Sequence, residues 1–134
     1  MKKLIYISAW LLFSSQLYAK TIRVGQQQTI TSIQQALNQA ANGDTILVDA
    51  GHYHEKNLII NRTVFLIGTD HPVLDGDHTY EIISIKANGV VVDGFKIVHS
   101  GISSIEDFAG IKIYSSRDVV IRNNILEDTF FGIY

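Results

Sequence analysis

Two segments of the chain carry the same pattern of apolar residues, and this repeat restricts the folds open to the sequence. The segment VVVDGFKI (90–97) aligns with VVIRNNIL (119–126). The alignment matches Gly94 with Asn123, two residue types that accept a positive φ at a bend. The aligned inward positions are Val90 and Val119, Val92 and Ile121, Phe95 and Asn124, and Ile97 and Leu126. The repeat indicates a structure built of similar units that bend at equivalent places.

Short strands of alternating apolar residues recur along the chain at a step in the twenties. The recurrence leads from Ile60 to Ile85, from Ile85 to Ile113, and from Gly110 to Gly132. A period of this size, with strands of period two, is typical of a β-solenoid whose coils must stack to bury their inner faces. We therefore predict an all-β solenoid. Its inward strand residues are Leu58, Ile60, Val64, Leu66, Ile83, Ile85, Val90, Val92, Ile111, Ile113, Val119 and Ile121.

An antiparallel β-sandwich is the alternative fold. It would place tight Asn-Gly or Asp-Gly hairpins at the strand ends, and the segments ANGV and LDGD could supply them. In the solenoid, by contrast, an inward asparagine such as Asn124 would form hydrogen bonds along a ladder between coils.

One segment has helical spacing, TSIQQALNQAANGD (31–44). Its apolar stripe is narrow, Thr31 or Ser32 can cap its start, and Asn42-Gly43 ends it. A buried strand of Ile46, Leu47 and Val48 follows, and Tyr53 is expected to pack inward after it. The stripe consists of Ile33, Ala36, Leu37 and Ala40. Because the first coil of a solenoid exposes an edge, we predict that this helix caps it.

Residues 1–19 are predicted to be a secretory signal peptide that is cleaved between Ala19 and Lys20. Lys2 and Lys3 supply its positive start, and an apolar run follows. That run is short for a bilayer span of about 20 residues, although an uncleaved anchor is the alternative. Cleavage removes these two lysines from the 11 basic residues and leaves all 13 acidic ones, a balance that excludes a basic nucleic-acid footprint. The predicted mature domain is 20–134, without cysteine.

The segment DAGHYHEKN contains the candidate metal ligands His52 and His54. Two histidines separated by one residue lie on one face of an extended chain and could contribute to a metal site, with Glu55 beside them. The alternative is an ordinary turn in which Gly51 bends the chain. His71, His78 and His99 are interpreted as solvated loop histidines.

Carboxylates near turns are the other candidates for chemistry, as acid–base groups or calcium ligands. The pairs Glu106-Asp107 and Glu127-Asp128 are separated by nearly one coil and could stack. No basic residue at a defined spacing accompanies them, so no catalytic residue is assigned. Single turn carboxylates are Asp75, Asp77 and Asp93.

These segments resemble known exported proteins. The opening TIRVGQQQTITSIQQALNQAANGDTILVDAGHYHE resembles the cap and first coil of right-handed parallel β-helix proteins of the pectin-lyase-like kind. The segments RTVFLIGTDHPVLDGD, VVVDGFKIVHSG and EDFAGIKIYSSRDVVIRNNILEDTFFGIY resemble the NosD family. The resemblance covers the predicted mature chain but only the front part of that family's length, so we expect the solenoid to continue beyond Tyr134.

The resemblance implies a periplasmic accessory protein for nitrous oxide reductase. It would be a non-catalytic scaffold that works with an ABC transporter in assembly of the reductase's copper–sulfur centre. Its implied partners are the reductase and the transporter's membrane subunit, with copper as a possible cargo. No copper-ligand motif can be matched, and the only methionine is Met1. The alternatives are a carbohydrate-active β-helix (lyase, hydrolase or epimerase) and a structural, adhesin-like solenoid.

Overall fold

The computed structural model describes residues 18–134, so most of the predicted signal peptide, residues 1–17, lies outside the described residues. Within the described part, the chain forms one α-helix and thirteen β-strands. The elements are β1 Thr21–Val24, α1 Ile33–Gln39, β2 Thr45–Val48, β3 His52–Tyr53, β4 Leu58–Ile60, β5 Phe65–Gly68, β6 Val73–Asp75, β7 Ile83–Ile85, β8 Val91–Asp93, β9 Lys96–Val98, β10 Ala109–Ile113, β11 Val120–Arg122, β12 Ile125–Glu127 and β13 Phe131–Ile133.

The strands form three parallel sheets that the chain visits in rotation. The first sheet has the order β1-β2-β5-β8-β11, the second β3-β6-β9-β12, and the third β4-β7-β10-β13. From β2 onward, each coil therefore contributes one strand to each sheet. This arrangement is an all-β parallel solenoid, as predicted. The antiparallel sandwich is excluded because the strand pairs of residues 18–134 run parallel.

The register between coils follows the repeat in the sequence. In the aligned segments, Val92 is paired with Ile121, and Ile97 with Leu126. The predicted recurrence in the third sheet is confirmed as well. Its pairs are Ile60 with Ile85, Ile85 with Ile113, and Ile111 with Ile133. Like residues therefore stack on like, and each coil covers the apolar face of its neighbour.

The inward residues form a continuous core between the three sheets. Ile46, Leu66 and Val92 stack in the first sheet and are fully buried. Full burial of such a side chain stabilises a fold by about 1.5–3 kcal/mol. Leu47, which was predicted to be buried, is only half-buried because strand alternation turns it outward. Ile121 in the last coil is also only partly buried.

Helix α1 covers the first coil, as predicted. Its apolar stripe is buried, and it packs against β1, β2 and β4. The Ser32 side chain caps the helix by accepting the Gln35 backbone N–H at 3.1 Å. The helix ends at Gln39, before the predicted Asn42-Gly43 stop. Among the described residues, no helix has the length and apolar character needed to cross a membrane.

Candidate metal centre

Histidine and aspartate side chains from successive coils meet along the second sheet, on its strands and in the turns that follow them. These turns come after β3, β6, β9 and β12, whose strands are adjacent in the sheet. Because the coils stack, residues that are separated in the sequence by about one coil lie side by side in the structure. We call this set the histidine–aspartate row, and it consists of His52, His54, Asp75, Asp77, His78, His99 and Asp128.

The first triad of the row is His52, His54 and Asp75. His52 Nε2 donates to Asp75 Oδ2 at 2.9 Å, and the two imidazole rings stack with centroids 4.4 Å apart. His54 Nδ1 in turn donates to Asp77 Oδ1 at 2.8 Å. One ring nitrogen of each histidine in the first triad is thus already engaged in a direct hydrogen bond.

The second triad is His78, His99 and Asp128. Asp128 Oδ2 lies 3.8 Å from His78 Nδ1 and 3.9 Å from His99 Nε2. The two rings are tilted by 34°, with centroids 4.6 Å apart. These nitrogen–oxygen distances exceed those of hydrogen bonds, so the second triad is an open cluster of three converging donors.

Asp75 connects the two triads. Its Oδ1 accepts from His99 Nδ1 at 3.0 Å and from the Asp77 backbone N–H at 2.9 Å, while Oδ2 accepts from His52. Burial alone would raise the pKa of Asp75, but the Asp77 backbone N–H, His52 and His99 together lower the pKa to about 2. Asp75 is therefore a carboxylate at neutral pH, and the histidine nitrogens that face it carry the protons.

The backbone explains why the row forms. His78, His99 and Asp128 all have left-handed φ angles, of 53°, 56° and 49°, which turn their side chains at the coil corner. Gly76 lets the next coil approach, because a Cβ there would lie 2.5 Å from the His99 carbonyl oxygen. The His78 backbone N–H then donates to that same carbonyl at 2.9 Å. Coil packing therefore holds His78 beside His99.

The donor set of the row suits some metal ions and not others. Neutral imidazole together with carboxylate is a combination that binds Zn²⁺ and Cu²⁺. Cu⁺ prefers thiolate and thioether ligands, and the chain has no cysteine and one methionine, Met1. The residues of the row thus fit a divalent ion of intermediate softness. The side chains that could hold it are His52, His54, Asp75, His78, His99 and Asp128.

The residues that were candidates for a metal site differ in where the structure places them. His52 and His54 do lie together, and Asp75, which was predicted only as a single turn carboxylate, lies beside them. Glu55 is not part of the row: it accepts from Ser32 Oγ and from backbone N–H groups at the start of α1. His71 belongs to neither triad.

The acidic pairs Glu106-Asp107 and Glu127-Asp128 could stack according to the sequence, but in the structure they do not. Glu127 lies opposite Val98 in the second sheet, and its side chain contacts Lys96 at 2.9 Å. Glu106 and Asp107 lie in the loop between β9 and β10. One coil here runs from Val98 to Glu127, which is longer than the separation between the two acidic pairs.

The second triad was not predicted from the sequence, although the sequence contains a signal for it. The aligned segments 90–97 and 119–126 define a coil step, and the same step carries His99 to Asp128. The alignment stopped just before these two positions. His78 could not be found in this way, because its position depends on the turn after β6.

The predicted cleavage residues lie at the start of the described chain. Ala19 and Lys20 are both exposed. The Lys20 backbone nitrogen donates to the buried Asp44 carboxylate at 2.9 Å, and the Ala41 N–H donates to it at 2.8 Å. Residue 20 is thus already part of the folded structure, whereas cleavage itself remains a prediction.

Comparisons with known proteins give one distant relative. No family model matches the chain, and no solved structure gives a significant match. The chain is similar to a cell surface glycoprotein of Methanothermus fervidus, 26% identical over 115 residues. The match covers 84% of this chain and 18% of the glycoprotein, so the chain spans less than a fifth of that relative's length.

Proposed function

We propose that this chain is the front part of an exported, right-handed parallel β-helix of the NosD type. In this role it is a periplasmic, non-catalytic accessory protein that supports assembly of the copper–sulfur centre of nitrous oxide reductase. Its partners are the reductase and the membrane subunit of an ABC transporter. The histidine–aspartate row is the surface on which it holds copper, as a divalent ion.

The row is the observation that carries this proposal. Two triads of imidazole and carboxylate donors lie on consecutive coils, and they are joined by the ionised, buried Asp75. A scaffold that handles metal outside the cytoplasm needs such exposed donors on a rigid support. A right-handed coil is favoured because about 98% of crossovers between parallel strands have that hand. Export agrees with the predicted signal peptide and with the cell-surface relative.

The test is capture of partners by the full-length protein. A tagged protein, expressed with its own leader in denitrifying cells, should recover the reductase or the transporter's membrane subunit from a periplasmic and membrane extract. Cells that lack the protein should contain reductase without its copper–sulfur absorption bands. If neither partner is recovered and the reductase matures normally without the protein, the accessory role is wrong.

A carbohydrate-active role is the second candidate, because of a cavity elsewhere on the solenoid. It has a volume of about 520 Å³ and lies between the β9–β10 loop and the third sheet. Glu81 and Lys112 line it together with the aromatic residues Tyr80, Phe108 and Tyr114. Carboxylates and aromatic faces are groups that bind sugar rings.

Incubation of the protein with pectin or alginate tests this second candidate. Release of shorter or unsaturated oligosaccharides would favour it, provided that Asp107→Asn in the cavity wall reduces the release. Asp70→Asn, a change of an exposed aspartate outside the cavity, is the matched control. The absence of any product from either polysaccharide would leave the accessory role as the better proposal.

A further inference from the structure

We propose that His78, His99 and Asp128 are the primary site for one divalent transition-metal ion, and that Asp75 positions His99 within it. The first triad, His52 with His54 and Asp75, is then a secondary site of lower affinity. This inference deepens the metal-holding part of the proposed function and rests on it, but it does not depend on which proteins are partners.

The donor spacing of the second triad supports this order of affinity. Two ligands at about 2.0–2.1 Å from a tetrahedral Zn²⁺ lie about 3.4 Å apart. Asp128 Oδ2 lies 3.8 Å from His78 Nδ1 and 3.9 Å from His99 Nε2, only slightly more than that spacing. A small inward movement of exposed side chains therefore brings the three donors to coordination distance.

Asp75 fixes the orientation of His99. Because a carboxylate can only accept, the 3.0 Å contact to Asp75 Oδ1 places the proton of His99 on Nδ1. The lone pair is then on Nε2, which is the atom that faces Asp128. This is the carboxylate–histidine–metal arrangement that orients many metal-binding histidines.

Asp75 is itself held firmly. Only 6% of its surface is exposed, and it also accepts from the Asp77 backbone N–H and from His52 Nε2. It therefore cannot turn outward to become a ligand without losing these contacts. Asp75 thus acts on the second triad through His99 and is a positioning residue there.

The first triad is arranged less favourably for binding a metal ion. An ion bound between His52 Nε2 and Asp75 Oδ2 must first break the 2.9 Å hydrogen bond that joins them and displace its proton. The Asp75 carboxylate also accepts from His99, so the two sites share the negative charge of one residue. We therefore expect unequal binding, with the second triad filled first.

Zn²⁺ titration of the metal-free full-length protein tests this order. Competition with a chromogenic chelator should reveal one tight Zn²⁺ per chain and a second, weaker one. Substitution of Co²⁺ at one equivalent should give the visible absorption bands of tetrahedral coordination. His78→Gln and Asp128→Asn should each weaken the tight site by at least about 100-fold.

The chain offers matched controls for both changes. His71 is also an exposed histidine with a left-handed φ, of 51°, and Asp70 is an exposed aspartate with a φ of 56°. His71→Gln and Asp70→Asn should leave both affinities unchanged. His52→Gln should remove only the weaker ion. Asp75→Asn should weaken the tight site by about 10–100-fold and change its Co²⁺ spectrum, the size of effect seen for groups that support a metal ligand.

The assignment is overturned if His78→Gln and Asp128→Asn bind Zn²⁺ like the unaltered protein, or if His52→Gln removes the tight ion. Partner capture by the same variants tests the proposed function independently of the metal site. Tight Zn²⁺ binding without any captured partner would contradict the accessory role alone. Captured partners with no tight Zn²⁺ would contradict the metal site alone.

Discussion

The side-chain oxygen of Asn124 accepts the backbone N–H of Phe95 at 2.9 Å, one coil away. Its amide nitrogen also donates to the Val92 carbonyl at 2.9 Å. One asparagine therefore links two backbone groups of the neighbouring coil at its bend. The bends themselves match, because Gly94 and Asn123 both have positive φ angles, of 82° and 54°.

Replacement of Asn124 by alanine should destabilise the protein. It removes both hydrogen bonds and leaves the backbone N–H of the buried Phe95 without this acceptor, at a cost of about 1–3 kcal/mol. The measurement is the free energy of unfolding in urea. Asn61→Ala, a change of an exposed asparagine, should cost less than about 0.5 kcal/mol. Equal stabilities of the two variants would contradict the role of Asn124 in joining the coils.

The sequence predicts the fold better than the candidate site, for a physical reason. Inward residues such as Val92 and Ile121 repeat because each coil must bury the face of the next, so periodicity reveals their register. The row depends instead on coil corners, where left-handed residues such as His78 and His99 turn side chains sideways. Loop lengths also vary between coils, so His99 can be related to Asp128 only when the length of that particular coil is known.

Glu55 illustrates the same difference. Its place beside His52 and His54 in the sequence favoured a metal site, whereas its carboxylate accepts from Ser32 Oγ and from the Gln34 N–H, both at 2.9 Å. Neighbouring residues of a turn can point to different partners. Periodicity alone cannot distinguish a metal ligand from a group that stabilises the start of a helix.

Glu55→Gln should therefore loosen helix α1. The change keeps the size of the side chain but removes the negative charge that faces the helix N-terminus, at a cost of about 0.5–2 kcal/mol. Urea unfolding measures the loss. Glu127→Gln, which removes only a surface ion pair with Lys96, should cost less. Metal affinity should be unchanged in both variants. A loss of Zn²⁺ binding in Glu55→Gln would instead show that Glu55 belongs to the metal site.

Gly68 should not tolerate a side chain. A Cβ there would lie 2.6 Å from the Gly94 carbonyl oxygen and 2.8 Å from Pro72 Cδ, so Gly68→Ala must push two coils apart. Overpacking of this kind costs about 1–3 kcal/mol. A melting temperature of Gly68→Ala equal to that of the unaltered protein would contradict the close approach of the coils.

Cleavage after Ala19 should strengthen an existing contact. The Lys20 backbone nitrogen already donates to Asp44 Oδ1 at 2.9 Å, and cleavage would convert it into a charged α-amino group at the same place. Hydrogen bonds between two charged groups are stronger than those that involve a neutral group. The exported protein should therefore begin at Lys20 by mass spectrometry. It should also be more stable than a chain that retains residues before Lys20; equal stability would contradict this role of Asp44.

Asp44 should also make stability depend on pH. The backbone N–H groups of Lys20 and Ala41 lower the pKa of Asp44 below its ordinary value of 3.8. A carboxyl with a lowered pKa stabilises the folded state above its unfolded pKa, and this contribution is lost as the pH falls through the folded pKa. Asp44→Asn should therefore be clearly less stable than the unaltered protein at neutral pH, and the difference should shrink below about pH 4. Urea unfolding at both pH values measures the difference, with Asp70→Asn as the exposed control; a difference that stays constant with pH would contradict the assigned pKa.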